Sequence, residues 1–311
     1  MKRWIKVVLG AAGALVVAAA VIWFAAPGWV VKAYTAAEMR KAGLSQKSTT
    51  VGDHVIHYLE GGSGEDVLLV HGFGANYAHW LRFARFLTPG YHVVIPDLPG
   101  FGQSTYKETG DYSHNAQAAR IRLFADALGL KKFHLVGNSM GGNIAGNFAA
   151  EHPERVASLA FFHASGVQSA EKCERDLLFE KGINIFAVRN EDEYDRLVNL
   201  AFVKPLKVPS PVKKLMMEQA IERRPAIERI TAQLNGDRFA LEGKLSRISA
   251  RTLILWGDTD RLIHIACLKI FEQGIQNSTT AILKDCGHIP MVERPGETAE
   301  LYMKFLKGAS S

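Results

Sequence analysis

Phe133-His134-Leu135-Val136-Gly137-Asn138-Ser139-Met140-Gly141-Gly142 decides how the rest of the chain is read. A short continuous apolar run, the mark of a strand buried on both faces, passes directly into a Gly-x-Ser-x-Gly turn. The helical spacing of Gly141 to Glu151 follows. In that context the pattern has a mechanical meaning: a sharp strand-to-helix turn exposes the serine hydroxyl, and the flanking glycines relieve crowding that side chains would cause. Ser139 is therefore the candidate nucleophile. The amide of Met140 lies at the helix N-terminus, placed to donate to a developing oxyanion.

Working outward, the same kind of run recurs at Val67–Val70, His92–Ile95, Leu159–Phe162 and Thr252–Trp256, alternating with amphipathic stretches. That rhythm predicts an α/β fold with a mostly parallel central sheet flanked by helices. Val55–Leu59, before the turn Gly61-Gly62-Ser63-Gly64, reads as a strand of an opening hairpin that follows a linker around Lys41 to Thr50, and Thr280–Leu283 adds a late strand. Helical spacing marks Ser113 to Leu128, with Gly129 as its stop, and Glu297 to Leu306. From Gly166 to about Arg251 there are only helical pieces interrupted by Pro205, Pro209, Pro211 and Pro225. We read this as a helical cap inserted after a late core strand.

A serine hydroxyl needs a histidine to take its proton and a carboxylate to orient that histidine. Of the 11 histidines, His288 alone stands on a Gly-flanked loop after the final strand, in Cys286-Gly287-His288-Ile289-Pro290. Trp256-Gly257-Asp258-Thr259-Asp260 follows the preceding strand and offers two acids, Asp258 and Asp260. The second oxyanion donor is expected in His71-Gly72-Phe73-Gly74, at the amide of Phe73, with His71 holding the loop's shape. Asp97-Leu98-Pro99-Gly100-Phe101-Gly102 reads as a turn beside the pocket. No cofactor is implied, since neither a dinucleotide fingerprint nor a phosphate-cradling loop is present, and no His or Cys cluster has the spacing of a metal site.

Met1-Lys2-Arg3-Trp4-Ile5-Lys6 is basic, and the run from Val7 to Val31 is uncharged. At 1.5 Å per residue that run can cross roughly 30 Å of hydrocarbon. Trp23, Trp29 and Tyr34 suit an aromatic belt at its far end. We read an uncleaved single-pass anchor with a cytosolic N-terminus and an extracytoplasmic catalytic portion, the periplasmic face of the inner membrane in a bacterium. Ala18-Ala19-Ala20 and Ala25-Ala26 supply the rival, a cleaved signal peptide and a secreted or periplasmic product. The resulting division is 1–34 anchor, 35–165 first part of the core, 166–250 cap and 251–311 second part. The +6 charge and pI near 9.1 fit an anionic membrane surface, and no basic stripe or motif for nucleic acid accompanies them. The 3 cysteines make neither a disulfide framework nor a zinc site.

Taken in order, these motifs resemble the α/β-hydrolase superfamily, and within it membrane-anchored monoacylglycerol lipases and similar bacterial lipases and esterases. The resemblance runs from about Val51 to Leu306. It implies Asp260 as the acid, the third residue after the glycine of Trp-Gly, and completes a triad of Ser139, Asp260 and His288. His288-Ile289-Pro290-Met291-Val292-Glu293-Arg294-Pro295 is similar to the lipase-like members. A serine at 139 argues against the epoxide-hydrolase and haloalkane-dehalogenase branches, whose nucleophile is aspartate. The implied activity is cleavage of lipid or small carboxylic esters. Hydrolases that cleave carbon–carbon bonds in ring-fission products share Gly-Asn-Ser-Met-Gly-Gly and are the nearest alternative. A non-catalytic ligand-binding protein on the same fold is the alternative of another class.

Overall fold

The computed structural model describes Trp4 and residues 26–308. Most of the apolar run from Val7 to Val31, and with it the anchor read from the sequence, lies outside the described residues. Among the described residues no helix is long and apolar enough to cross a membrane. The first described helix, α1 (Pro27–Lys41), opens on a proline, whose missing N–H is unused in a first turn, and closes with Arg40 and Lys41 at its negative end.

Eight strands build one sheet: β1 (Leu44–Val51), β2 (His54–Gly61), β3 (Glu65–Val70), β4 (Tyr91–Pro96), β5 (Phe133–Asn138), β6 (Val156–Phe162), β7 (Thr252–Gly257) and β8 (Ser278–Leu283). Their order is β1-β2-β4-β3-β5-β6-β7-β8. The pairs β1/β2 and β2/β4 are antiparallel, and every pair from β4 to β8 is parallel.

Two expectations are corrected at the sheet's edge. The supposed linker from Lys41 to Thr50 is β1 from Leu44 onward, and the hairpin turns at Gly52 and Asp53. Gly61 to Gly64 instead leads the chain from β2 into β3. Only the end residues of β1, Leu44 and Val51, are buried. An edge strand held by main-chain bonds needs no apolar stripe, so its polar sequence hid it.

Successive residues of a strand face opposite ways, and β3 shows both faces apolar. Leu68 and Val70 join the core beneath α2 (His114–Ala127), α3 (Met140–Glu151) and Phe271, whereas Val67 and Leu69 join the core with Trp80, Phe83 and Tyr302 on the other face. Between β6 and β7 the described chain forms α4 (Glu174–Glu180), α5 (Glu191–Ala201), α6 (Ser210–Glu222) and α7 (Arg224–Gly236), and no strand. Pro211 and Pro225, read as interruptions, sit in the first turns of α6 and α7 and so open those helices. Helices α8 (Ala266–Gly274) and α9 (Pro295–Leu306) complete the layers. In α6, Leu215 lies against Gly28 of α1 and Met216 is exposed.

The order 4-3-5 reverses direction between β3 and β5, and ligands of open parallel sheets bind beyond the strand ends at such a reversal. The loops after β3 and β5 are those carrying Phe73 and Ser139. Burial across the sheet can be tested by denaturant unfolding of the full-length protein in detergent. Leu69→Ala, at 0% exposure, is expected to cost about 2–5 kcal/mol. Ile282→Ala on edge strand β8, at 54% exposure, is expected to stay within about 0.5 kcal/mol.

Candidate active site

Ser139 follows β5 with φ 55 and ψ −118. A left-handed serine at this point costs on the order of 1–3 kcal/mol, and the surroundings hold it there. Its amide donates to the carbonyl of Phe162 at 3.1 Å, and its carbonyl accepts from the amides of Gly142 at 2.9 Å and Ser165 at 3.0 Å. A Cβ on Gly141 would strike the carbonyls of Val70 and His71, so the turn needs glycine there for packing. Asn138, the variable position of the motif, is buried and donates from Nδ2 to the carbonyls of Phe162 at 2.9 Å and His288 at 3.2 Å. It links the serine turn to the histidine loop, a role the motif alone did not reveal.

The amides of Met140 and Phe73 donate to no protein acceptor among the described residues. Both stand beside Ser139, on α3 and on the loop after β3, as two unused donors. The Phe73 ring packs edge-on against Phe101 at 5.4 Å and against the cap's Phe186 at 5.0 Å. His71 is fully buried. Its Nδ1–H donates to the carbonyl of Gly72 at 2.8 Å, and its Nε2 accepts from the amide of Leu98 at 2.9 Å. It therefore ties the Phe73 loop to the turn at Asp97, and burial pushes its pKa down to about 3. Asp97 braces that turn, accepting from the amides of Tyr77 at 2.7 Å and Gln103 at 2.8 Å.

Asp260 and His288 meet across the ends of β7 and β8. Nδ1 of His288 is 2.8 Å from Oδ2 of Asp260, and both residues are buried. Oδ1 accepts from the amides of Leu262 at 2.7 Å and Ile263 at 3.0 Å. Burial by itself would raise the Asp260 pKa, but the electrostatic attraction and hydrogen bonds of the two imidazoles, His288 and His163, outweigh it and hold the carboxyl far below its usual range. Asp258 is exposed and its carboxylate accepts from Thr259. Ser139 is half-buried, and neither its hydroxyl nor Nε2 of His288 has a hydrogen-bond partner among the described residues. Such contacts commonly close only when substrate is bound.

A second histidine, His163, sits at the end of β6 with Nδ1 2.6 Å from the same Oδ2. Nothing in the sequence marks it beyond its position after a core strand. Two imidazoles and a carboxylate suit a metal ion by type, yet here these donors are spent on one another. A cavity of about 300 Å³, lined by Ser165, Arg175, Asp176, Arg238 and Cys267 among others, lies beside the acid loop; Ser139, His288 and Phe73 do not line it. The three cysteines are free and buried. Burial pushes Cys173 up to about 11, and Cys267 and Cys286 up to about 12.

The cap is latched to these loops. The amide of His288 donates to the carbonyl of Ala201 at 2.8 Å, at the end of α5. Glu293 accepts from Gly287 at 2.9 Å on the histidine loop, and from Val203 at 3.1 Å and Lys204 at 2.8 Å in the cap. Arg261, next to Asp260, donates to the carbonyls of Asn199 and Phe202.

Residues 67–295 match the family described as the alpha/beta hydrolase fold. The chain is 34% identical over 276 residues to Lipase 1 of Psychrobacter immobilis, with 86% of each chain covered. It is 30% identical over 258 residues to the monoacylglycerol lipase ABHD6 of Homo sapiens, covering 79% of this chain and 76% of that one. A solved membrane phospholipase A, described as a bacterial virulence factor, superposes with a TM-score of 0.90 at 42% identity over 99% of both chains.

Two measurements probe the site's supports. His71 has a folded pKa of about 3 against 6.5 for a free histidine, so the folded state binds fewer protons in that interval. Its stabilising contribution is complete above about pH 6.5 and is lost toward pH 3, at up to about 1.4 kcal/mol per unit. Urea midpoints of wild type should fall more steeply with acidification than those of His71→Gln, and parallel curves would contradict this. Glu293→Ala leaves three amides without their acceptor. It is expected to lower stability by about 1–3 kcal/mol and to loosen the cap, seen as faster amide exchange at Val203 and Lys204.

Proposed function

This chain belongs to the α/β-hydrolase fold family and is a carboxylic ester hydrolase, and on that premise we propose that it cleaves lipid esters, monoacylglycerols among them, through an acyl-enzyme on Ser139. The observation that carries the mechanism is the buried Asp260–His288 pair, 2.8 Å apart, beside a serine held at positive φ between two unused amides. The names of the relatives, lipases and a membrane phospholipase A, support a glycerolipid ester as substrate.

In this reading Ser139 Oγ attacks the ester carbonyl while Nε2 of His288 takes its proton. Asp260, anionic throughout, stabilises the resulting imidazolium. The amides of Phe73 and Met140 receive the oxyanion, a contribution of about 3–4 kcal/mol for one such donor in comparable sites. The tetrahedral intermediate expels the alcohol, which leaves with the proton held by His288. Water, deprotonated by the same nitrogen, then releases the fatty acid and restores Ser139.

The membrane enters through the uncharged run Val7 to Val31, long enough to span hydrocarbon. As an uncleaved anchor it would hold the catalytic portion on the extracytoplasmic side, next to its lipid substrate. The basic segment before it favours that orientation.

The deciding experiment measures hydrolysis of p-nitrophenyl esters and monoacylglycerols of graded chain length, beside a ring-fission dienoate, by wild type and Ser139→Ala. Ester turnover should fall by about 10⁴-fold or more in the variant. Turnover of the dienoate alone would assign the protein to carbon–carbon bond cleavage instead.

A further inference from the structure

Asp260 is served by two imidazoles, and the mechanism above uses one. His163 ends β6 at φ 54, a left-handed conformation that histidine, asparagine and aspartate adopt more readily than other residues with a Cβ. The bend turns its ring beneath β7, where the side chain is fully buried. There it lies over Trp256, with ring centroids 5.4 Å apart, and edge-on to His288, also at 5.4 Å.

Hydrogen bonding fixes the two rings in different states. The amide of Gly257 donates to Nε2 of His163 at 3.0 Å, so the proton of that ring resides on Nδ1 and points at Oδ2 of Asp260. A second proton would set N–H against N–H. Burial lowers the proton affinity of His163 further, opposed by the field of Asp260. His163 is thus a neutral donor that does not titrate. His288 has only Nδ1 engaged, which leaves Nε2 for chemistry.

The carboxylate between them is saturated. Oδ2 receives both imidazoles, at 2.6 and 2.8 Å, and Oδ1 receives the amides of Leu262 and Ile263. An ionised carboxylate has about four acceptor sites, and all are used, so it has no freedom to turn. The other charged groups near the pair look elsewhere: Glu293 accepts from Gly287, Val203 and Lys204, and Arg261 donates to Asn199 and Phe202.

We propose that His163 is a positioning residue: a permanently neutral second imidazole that locks the Asp260 carboxylate in the orientation His288 requires and takes up part of its negative charge. The inference rests on the assignment of Ser139, Asp260 and His288 made above. Sharing the charge leaves less of it to retain the proton that must pass to the leaving alcohol.

The test compares His163→Asn with His163→Leu in the full-length protein. Both lose the acceptor for Gly257; they differ in the N–H directed at Asp260, which the asparagine amide can replace, and in backbone strain at φ 54, which a urea midpoint of each variant measures separately. For His163→Leu, kcat should fall about 10-fold to 100-fold while KM changes by less than about three-fold. The acid limb of its kcat/KM profile should move up by about half a unit to one unit. His163→Asn should recover to within about five-fold of wild type, with the limb restored. A folded His163→Leu with wild-type kcat and limb would overturn the proposal, as would an asparagine variant no better than leucine. Should leucine fail to fold, ¹⁵N-histidine spectra of wild type decide. Two rings, His71 and His163, should each keep a proton on Nδ1 and a bare Nε2 from about pH 5 to 9; the set that survives in His71→Gln belongs to His163, and its titration in that range would sink the idea. Wild type without ester turnover would instead sink the Ser139 reading, and the spectra would still judge His163.

Discussion

Everything at this site depends on a single buried carboxylate. Asp260 would lose its charge in an apolar interior if nothing met it, because desolvation penalises the ionised form. Four N–H groups meet it: two consecutive amides of its own loop, one ring at the strand end after β6 and one on the loop after β8. The carboxylate therefore does structural work as well as chemical work. It draws three chain segments far apart in sequence to one point and fixes the direction of each. The histidine proposed as base is oriented because the carboxylate it leans on is held from every side.

Ser139, the proposed nucleophile, is governed by a different constraint, which is steric. Ser139 takes an unfavourable backbone angle, and the strain persists only because its neighbours leave no alternative. Gly141 lets α3 come down onto the carbonyls after β3, where any side chain would collide. That close approach brings the start of α3 against the loop that carries Phe73. Asn138 then joins the serine turn to the backbone of His288, so Ser139, His288 and Asp260 share one hydrogen-bonded frame.

The cap is not an independent lid laid over that frame. The end of α5 accepts from the amide of His288 itself, Glu293 bridges the histidine loop to Val203 and Lys204, and Arg261 reaches from the acid loop to the same segment. A displacement of Asn199 to Lys204 would pull on the Asp260 loop and the His288 loop together. On the far side the cap's Arg223 donates to the carbonyls of Gly100 and Gly102, beside the turn that His71 ties to the Phe73 loop.

The sequence by itself determined the α/β architecture, the serine turn and the order of the candidate triad. Continuous apolar runs and glycine-bounded turns are local signals, written in consecutive residues wherever a strand is buried on both faces. It missed β1 because an edge strand is held by main-chain bonds and carries no apolar stripe. It left Asp258 and Asp260 to be separated by resemblance, since both follow the same strand and only burial against His288 distinguishes them. Tertiary structure alone decided the rest: that His163 shares the acid, that Asn138 reaches His288, and that Glu293 clasps the cap. Each joins residues between 80 and 150 positions apart or closes a bond onto a distant backbone amide. A hydrogen bond of that kind depends on where two loops meet in space, and no spacing in the sequence records it.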